Sequence, residues 1–267
     1  MNKRADASEV ASDDVVLTSI ASGVARLTLN RPRQFNAISM EVLDALHSAL
    51  ARIASDESVR VVVLAGNGQV FSAGHDLKQM MANRNEAFIG ALFKRCSEVM
   101  LAMQALPQPV IARVHGVATA AGCQIVAACD LAIASSEARF ATSGINFGLF
   151  CATPGVPVSR NVSRKRAFEM LFTGEFIDAA TAKDWGLVNS VVPPDELDAA
   201  VERYAAVIVG KPRAVVAAGK ALFYEQLEAR LRDAYDLASC SITRNMLGDD
   251  AAEGVGAFID KRKPNWS

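Results

Sequence analysis

The sequence predicts an α/β body followed by an all-helical ending, and three observations carry that prediction. Before Pro193 the continuous apolar run Val61-Val62-Val63-Leu64 reads as a parallel strand buried on both faces, and strand-like segments return at Val110 to Val114 and Leu131 to Ala134. Segments with helical periodicity separate them, so strand and helix alternate. After Pro193-Pro194-Asp195 the alternation stops, and the chain reads helical as far as Asp260.

Each element has its own signal. Val15 to Ile20 and Val24 to Leu29 flank Ala21-Ser22-Gly23, which reads as a hairpin. Ser39 can cap a helix in which Leu43, Leu46, Leu50 and Ile53 recur at spacings of three and four, with Glu41 suited to its N-terminal dipole. Further helices are expected near Glu86 to Leu106, Ala121 to Ala128 and Ser163 to Phe172, and a strand over Leu187 to Val192. Pro212 fits the first turn of a helix, which places a boundary near Lys211. The expected organisation is a loose tail over 1–13, a body over 14–210, and a helical element over 211–267 that packs on the body or on another subunit.

Composition narrows the function. The chain has 267 residues, 51% of them hydrophobic, enough for one large core. With 28 basic and 29 acidic residues interspersed and a net charge of -1, no field argues for nucleic acid or a membrane surface. The uncharged stretch Gly116 to Cys129 is shorter than a membrane span and rich in Ala and Gly. Residues Met1 to Asp14 mix acids and bases, unlike an apolar signal core or an acid-poor transit peptide. The five cysteines, Cys96, Cys123, Cys129, Cys151 and Cys240, lack metal or redox spacing. With only three histidines no metal centre is expected. Together these point to a cytoplasmic protein with a small-molecule partner.

Two motifs carry chemistry. One is Val70-Phe71-Ser72-Ala73-Gly74-His75-Asp76-Leu77; the other runs from Pro109 through His115-Gly116 and Ala120-Ala121-Gly122-Cys123-Gln124 to Cys129-Asp130. Small residues at Ala118, Ala120, Ala121 and Gly122 let a backbone donor at a helix N-terminus approach a ligand closely, or let a tight turn pack on a strand. Gly66-Asn67-Gly68 begins like a dinucleotide fingerprint, but Phe71 stands where its third glycine belongs, so NAD is not implied.

Both motifs, in this order, resemble the crotonase (enoyl-CoA hydratase/isomerase) superfamily. The likeness spans Leu29-Asn30-Arg31-Pro32, Leu171-Phe172-Thr173-Gly174 and Phe258 to Pro264; Gly148-Leu149-Phe150-Cys151 and Thr153-Pro154-Gly155-Val156 resemble one subgroup of it. The resemblance implies a spiral of ββα repeats, a C-terminal oligomerisation element, trimers or hexamers, and a role in fatty acyl-CoA metabolism. It implies no permanently bound cofactor; coenzyme A arrives as part of an acyl-CoA thioester. The backbone N–H groups of His75 and Ala121 are implied as the pair that stabilises the thioester oxyanion. Arg33, Ala37, Ala73, Gly74 and Leu77 are implied to line the CoA site, with Lys261 or Lys263, from the same or a neighbouring subunit, meeting a phosphate.

The sequence departs from the pattern at the two catalytic glutamates. Their positions hold Gln124 and Gly144, and neither an amide nor a hydrogen atom moves a proton. Standard hydration is therefore expected to be weak or absent, with restoration of both glutamates expected to raise it. Gln124 reads either as a positioning amide or as a packed polar residue. The His75 side chain reads as a catalytic imidazole or as a group turned toward solvent or Asp76, and Cys151 more as a packed residue than a nucleophile. Two functions stay open: an acyl-CoA enzyme with nonstandard acid/base groups, and a protein that binds or delivers acyl-CoA without turnover.

Overall fold

In the computed structural model, residues 14–266 are described, and the expected tail over 1–13 lies outside them. β1 (Val16–Ala21) and β2 (Val24–Leu29) form an antiparallel hairpin. Ser22 and Gly23 both take positive φ, 50° and 79°, the requirement of a type I′ turn. α1 (Met40–Ala54) starts where the Ser39 side chain accepts the Val42 N–H, and it buries Leu43, Leu46, Leu50 and Ile53. Each such side chain taken from water contributes roughly 2 kcal/mol.

β3 (Val61–Gly66), buried at all six residues, pairs in parallel with β2. Then follow α2 (Leu77–Ala82) and α3 (Glu86–Ala105). A repeating unit becomes visible next: β4 (Val110–Val114), β5 (Val117–Thr119) and α4 (Ala121–Ala128), followed by β6 (Leu131–Ser135), β7 (Arg139–Ala141) and α5 (Ala152–Asn161). In each unit the first strand joins a large sheet, the second a small one, and the helix closes the turn.

The remaining elements are α6 (Arg164–Thr173), β8 (Ile177–Asp178), α7 (Ala179–Asp184), β9 (Ser190–Val192), α8 (Leu197–Val209), α9 (Arg213–Glu228), α10 (Leu231–Met246) and α11 (Asp249–Ile259). The large sheet runs β1-β2-β3-β4-β6-β9 and the small one β5-β7-β8. A lone parallel bridge joins Ser72 to Ala118 of β5, so the Ser72 loop extends the small sheet and lies beside the start of α4.

Three details differ from the sequence reading. The strand expected over Leu187 to Val192 is confined to Ser190–Val192, because Gly186 at φ 87° turns the chain and sends Leu187 and Val188 into the core. Pro212 is the residue preceding α9 rather than a member of its first turn. α5 forms despite Pro154 and Pro157. Pro154 lies in the first turn, where no N–H is needed, and the far end is anchored by Asn161, whose Nδ2 donates to the Ala127 carbonyl of α4 at 2.8 Å.

The two apolar clusters of the core draw on residues up to Val209. α9 is fastened to the body by polar contacts instead. The buried Lys220 Nζ donates to the carbonyls of Met103 (2.8 Å) and Gln108 (3.0 Å) and to Asp130 Oδ2 (2.6 Å), while the Tyr224 hydroxyl donates to Asp130 Oδ1 at 2.6 Å. Among the described residues no helix is long and apolar enough to cross a membrane.

Candidate functional site

The two motif loops meet through a glycine. Gly74 has φ 91°, and a Cβ there would lie 2.8 Å from the Ala120 Cβ and 3.2 Å from the Ala121 nitrogen. Only glycine allows both this backbone and this approach. Behind it, Gly122 rests on Ser72, whose carbonyl oxygen would be 2.4 Å from any added Cβ. Ser72 Oγ in turn donates to the Asn36 carbonyl at 2.9 Å and accepts the Gly74 N–H at 3.2 Å.

Ala120, entering α4, takes φ 51° and ψ −117°. Such a conformation is costly for a residue with a Cβ and recurs at functional sites. It is held by the Ala120 N–H donating to the Ala141 carbonyl at 3.0 Å. The next N–H, that of Ala121, is the first of α4 and has no intrahelical acceptor. On the facing loop, Ile38 brackets His75 by donating to the Gly74 carbonyl (2.8 Å) and accepting from the Asp76 N–H (3.0 Å). Among the described residues, neither the His75 N–H nor the Ala121 N–H has a protein acceptor. Both residues line a cavity of about 490 Å³.

Asp76 fixes the outer edge of this loop. Its carboxylate accepts the Lys78 and Gln79 N–H groups at the start of α2 and pairs with Arg31 at 3.1 Å. Burial pushes the acid upward, but the bonds from Gln79 and Arg31 outweigh it and hold Asp76 below the usual carboxylate range. Arg31 also donates to the Ala37 carbonyl at 2.8 Å, so an ion pair ties together the two segments that precede the cavity.

Ala73, His75 and Leu77 line the cavity, and Gly74 sits buried behind them. Gly144 lines it too, opening the 3-10 turn Ser143–Phe147. Gln124 does not. It is 2% exposed, and its Oε1 accepts the Cys96 thiol at 3.8 Å, which makes it a packed polar residue rather than a wall group. Arg33 is exposed on the 3-10 turn Pro32–Gln34 and Ala37 is half-buried; neither lines the cavity, and nor do the exposed Lys261 and Lys263. Glu98 is turned to Lys94 and Arg95.

The titratable wall groups are His75 and Cys151. Burial pushes the His75 imidazole down to about 4, so it is neutral near pH 7. Its ring meets Phe93 edge-on at 5.1 Å, and its Nε2 is buried without a partner. The Cys151 thiol is pushed up by burial, against a small opposing effect of the Gly144 N–H it accepts at 3.3 Å. No carboxylate lines the cavity among the described residues. His115 supports the neighbouring turn, its Nε2 donating to the Gly68 carbonyl at 2.9 Å.

Several wall residues escaped the sequence reading. Met80 and Phe93 arrive from α2 and α3, Ser143 hydrogen-bonds Thr119 at 2.7 Å, and Phe147 forms an exposed lip with Phe150, which the sequence already placed on the segment bordering the pocket. Phe150 packs on Phe172 at 5.2 Å, which stacks on Phe168 at 3.9 Å. Hydrophobic periodicity marks Met80 and Phe93 only as helix positions, so no local signal distinguishes them. A larger cavity of about 600 Å³ lies between α9, α10 and α11, away from the unpaired donors. Among the described residues no cluster suits a metal ion.

Comparison with known proteins places these features. The family model for enoyl-CoA hydratase/isomerase matches residues 19–267. The chain is 47% identical over 245 residues to enoyl-CoA hydratase domain-containing protein 3, mitochondrial, of Mus musculus, covering 92% of this chain and 82% of that one. A crystal structure of an enoyl-CoA hydratase from Mycobacterium smegmatis superposes with a TM-score of 0.93 at 57% identity, covering 94% of this chain and 98% of that one. The human enoyl-CoA hydratase domain-containing protein 3 superposes with a TM-score of 0.92 at 43% identity, covering 94% and 100%. The cytoplasmic expectation is overturned by these names, since the mouse, frog and human relatives are all called mitochondrial. Its premises were reduced thiols and the lack of an evident leader, and reduced thiols do not separate one reducing compartment from another.

Proposed function

Because the chain belongs to the enoyl-CoA hydratase/isomerase family, we propose that it binds an acyl-CoA thioester in the 490 Å³ cavity and polarises the thioester carbonyl with the backbone N–H groups of His75 and Ala121. The body is a crotonase-type spiral of ββα units with a helical C-terminal element. One observation carries the proposal: two loops held in contact at Gly74 and Ala120 bring to one cavity two residues whose N–H groups have no acceptor among the described residues. Donors fixed in advance toward a developing oxyanion stabilise an enolate without reorganisation. The dipole of α4 adds to that of Ala121.

Ala73 and Leu77 would meet the CoA moiety at the cavity wall, with Ala37 behind them and Arg33 reaching a phosphate. Lys261 and Lys263 do not line this cavity; either is proposed to meet a phosphate outside it, from this chain or from a neighbouring copy. The segment 211–267 is proposed as the oligomerisation element, in a trimer or a hexamer.

Hydration is proposed to be weak or absent. Gln124 and Gly144 occupy the positions at which the family's hydratases carry glutamates, and no carboxylate from elsewhere lines the cavity among the described residues. That same observation favours a second reading, in which the protein holds or delivers acyl-CoA without turning it over.

A panel of CoA thioesters tests both readings, by thermal shift and then by mass spectrometry for conversion. Ligands that bind only the folded state raise its melting temperature, so acyl-CoA raises it while NAD and ATP do not. Conversion supports the enzyme, and binding without conversion supports the carrier. No shift with any acyl-CoA at saturating concentration overturns both.

A further inference from the structure

From the place of its sulfur on the cavity wall, we infer that Cys151 is the acid/base residue of the cavity, a thiol that moves a proton to and from the carbon next to the thioester carbonyl. The inference rests on the reading of the cavity as a thioester site and names the group that would do proton chemistry in it.

Geometry carries it. Cys151 and Gly144 line the same cavity, and the glycine makes room for the sulfur, since a Cβ at 144 would stand 2.8 Å from Sγ. A short bonded path joins that sulfur to the donor end of the site. Sγ accepts the Gly144 N–H at 3.3 Å. Ser143, the residue before, is hydrogen-bonded at 2.7 Å to Thr119, two residues ahead of Ala121. An oxygen held by the His75 and Ala121 N–H groups makes the carbon beside the carbonyl the acidic one, because its proton leaves an enolate that those donors stabilise.

The chemistry of the wall favours the same sulfur. No carboxylate lines the cavity among the described residues, and Gln124 is turned away to Cys96. Of the two titratable wall groups, His75 packs its ring on Phe93 and buries its Nε2 in the protein. A thioester α-hydrogen is a weak acid, so a base of high pKa takes it more readily than one of low pKa. Burial pushes the Cys151 thiol up, whereas it pushes the His75 imidazole down to about 4. A thiolate at Cys151 is met by the Gly144 N–H and, because Cys151 caps the start of α5, by the positive end of that helix.

The step balances. The thiolate takes the α-proton, the C–H electron pair forms a carbon–carbon double bond, and the carbonyl π pair moves onto the oxygen held by the two N–H groups. In reverse, Sγ returns a proton to that carbon. Nothing is oxidised or reduced, and no further reactant is required.

The test incubates the full chain in D2O with butyryl-CoA and, as a longer probe, decanoyl-CoA. Mass spectrometry reads the deuterium gained at the α-carbon over a protein-free blank. The wild-type protein should exchange the α-hydrogen of a thioester it binds. Cys151→Ser keeps an acceptor for the Gly144 N–H but replaces the thiol with a hydroxyl that does not ionise near neutral pH. Exchange should then fall by about a hundred-fold or more, the usual share of general acid–base catalysis, while isothermal titration gives a dissociation constant close to wild type. A role in packing alone would weaken binding and exchange together. Binding without exchange by the wild-type protein, or exchange that survives Cys151→Ser, overturns the inference and leaves the thioester site standing. If the wild-type protein binds neither probe, the proposed function falls and this inference with it. Should the Ser variant fold poorly, Cys151→Ala decides by the same two readouts.

Discussion

The Cys151 Sγ accepts the backbone N–H of Gly144 at 3.3 Å, and that contact closes the space into which a side chain at position 144 would grow. A Cβ there would stand 2.8 Å from the sulfur and 2.5 Å from the Leu149 carbonyl oxygen. The obstacle is steric, since Gly144 is not among the glycines with positive φ.

Restoring both glutamates is therefore not expected to create a hydratase, contrary to what the sequence alone implies. Gly144→Ala should lower stability by about 1–3 kcal/mol, read from the denaturant midpoint. The pair Gln124→Glu with Gly144→Glu should hydrate crotonyl-CoA no faster than the wild-type protein. A well-folded double variant with hydratase turnover well above wild type would show that the Leu149–Cys151 segment yields easily.

Gln124→Glu alone places an acid in a site 2% exposed beside Cys96. Burial disfavours its charged form, so its folded pKa rises above the unfolded value. The native state then holds more protons across that window, and stability falls as pH rises through it. The variant should lie close to wild type at pH 5 and clearly below it at pH 8 in thermal unfolding. A pH-independent deficit would mean that the carboxylate reaches water.

How much of this was legible in the sequence depends on how local the cause is. Ser39, the hairpin turn at Ser22-Gly23, the apolar run of β3 and the strand-like segments of β4 and β6 act within a few residues, and the structure matches them closely. The small sheet was invisible because its strands, three residues at most, are too short to show a period. The donor loops were legible as motifs. That Gln124 faces Cys96 instead of the cavity was not, because the direction of a side chain on α4 depends on α3, packed from elsewhere in the chain. Nor did any local pattern mark Phe93 as the neighbour of His75.

α10, the residue that ends it and α11 carry apolar side chains that the protomer leaves uncovered, including Leu231 (76% exposed), Leu247 (82%) and Phe258 (84%). Exposure on this scale marks an interaction surface, and closed symmetric assemblies are the usual outcome. Light scattering of the intact chain should give a trimer or a hexamer. A monodisperse, fully folded monomer at micromolar concentration would rule out the proposed role of 211–267.

His75 also leaves a signature in acid. Its pKa, 6.5 when unperturbed, is pushed by burial to about 4 in the folded protein. Between those values the unfolded state binds more protons, so this residue makes stability fall as pH drops from about 6.5 and level off below about 4. Melting temperatures of His75→Phe should lack that component of the acid loss. Parallel curves for variant and wild type over the window would place the ring in water.

Asp130 holds two side chains of α9, its two oxygens taking the Lys220 ammonium and the Tyr224 hydroxyl, each at 2.6 Å. Oδ2 also accepts the Val110 N–H at 2.6 Å, so one carboxylate joins β4 to α9. Burial holds Lys220 below its ordinary value, outweighing the pull of Asp130. Asp130→Ala would leave that ammonium in a site 6% exposed with two carbonyls and no counter-charge. Breaking a buried pair on one side costs about 3–5 kcal/mol, and the denaturant midpoint should fall accordingly. The unfolded lysine holds its proton to higher pH than the folded one, so stability of the variant should rise with pH as the folded Lys220 deprotonates. Adding Lys220→Met removes the stranded charge and should recover part of the loss, together with the pH dependence. If the double variant is no more stable than Asp130→Ala, the loss comes from the Val110 and Tyr224 bonds, and the lysine is a bystander in fastening α9 to the body.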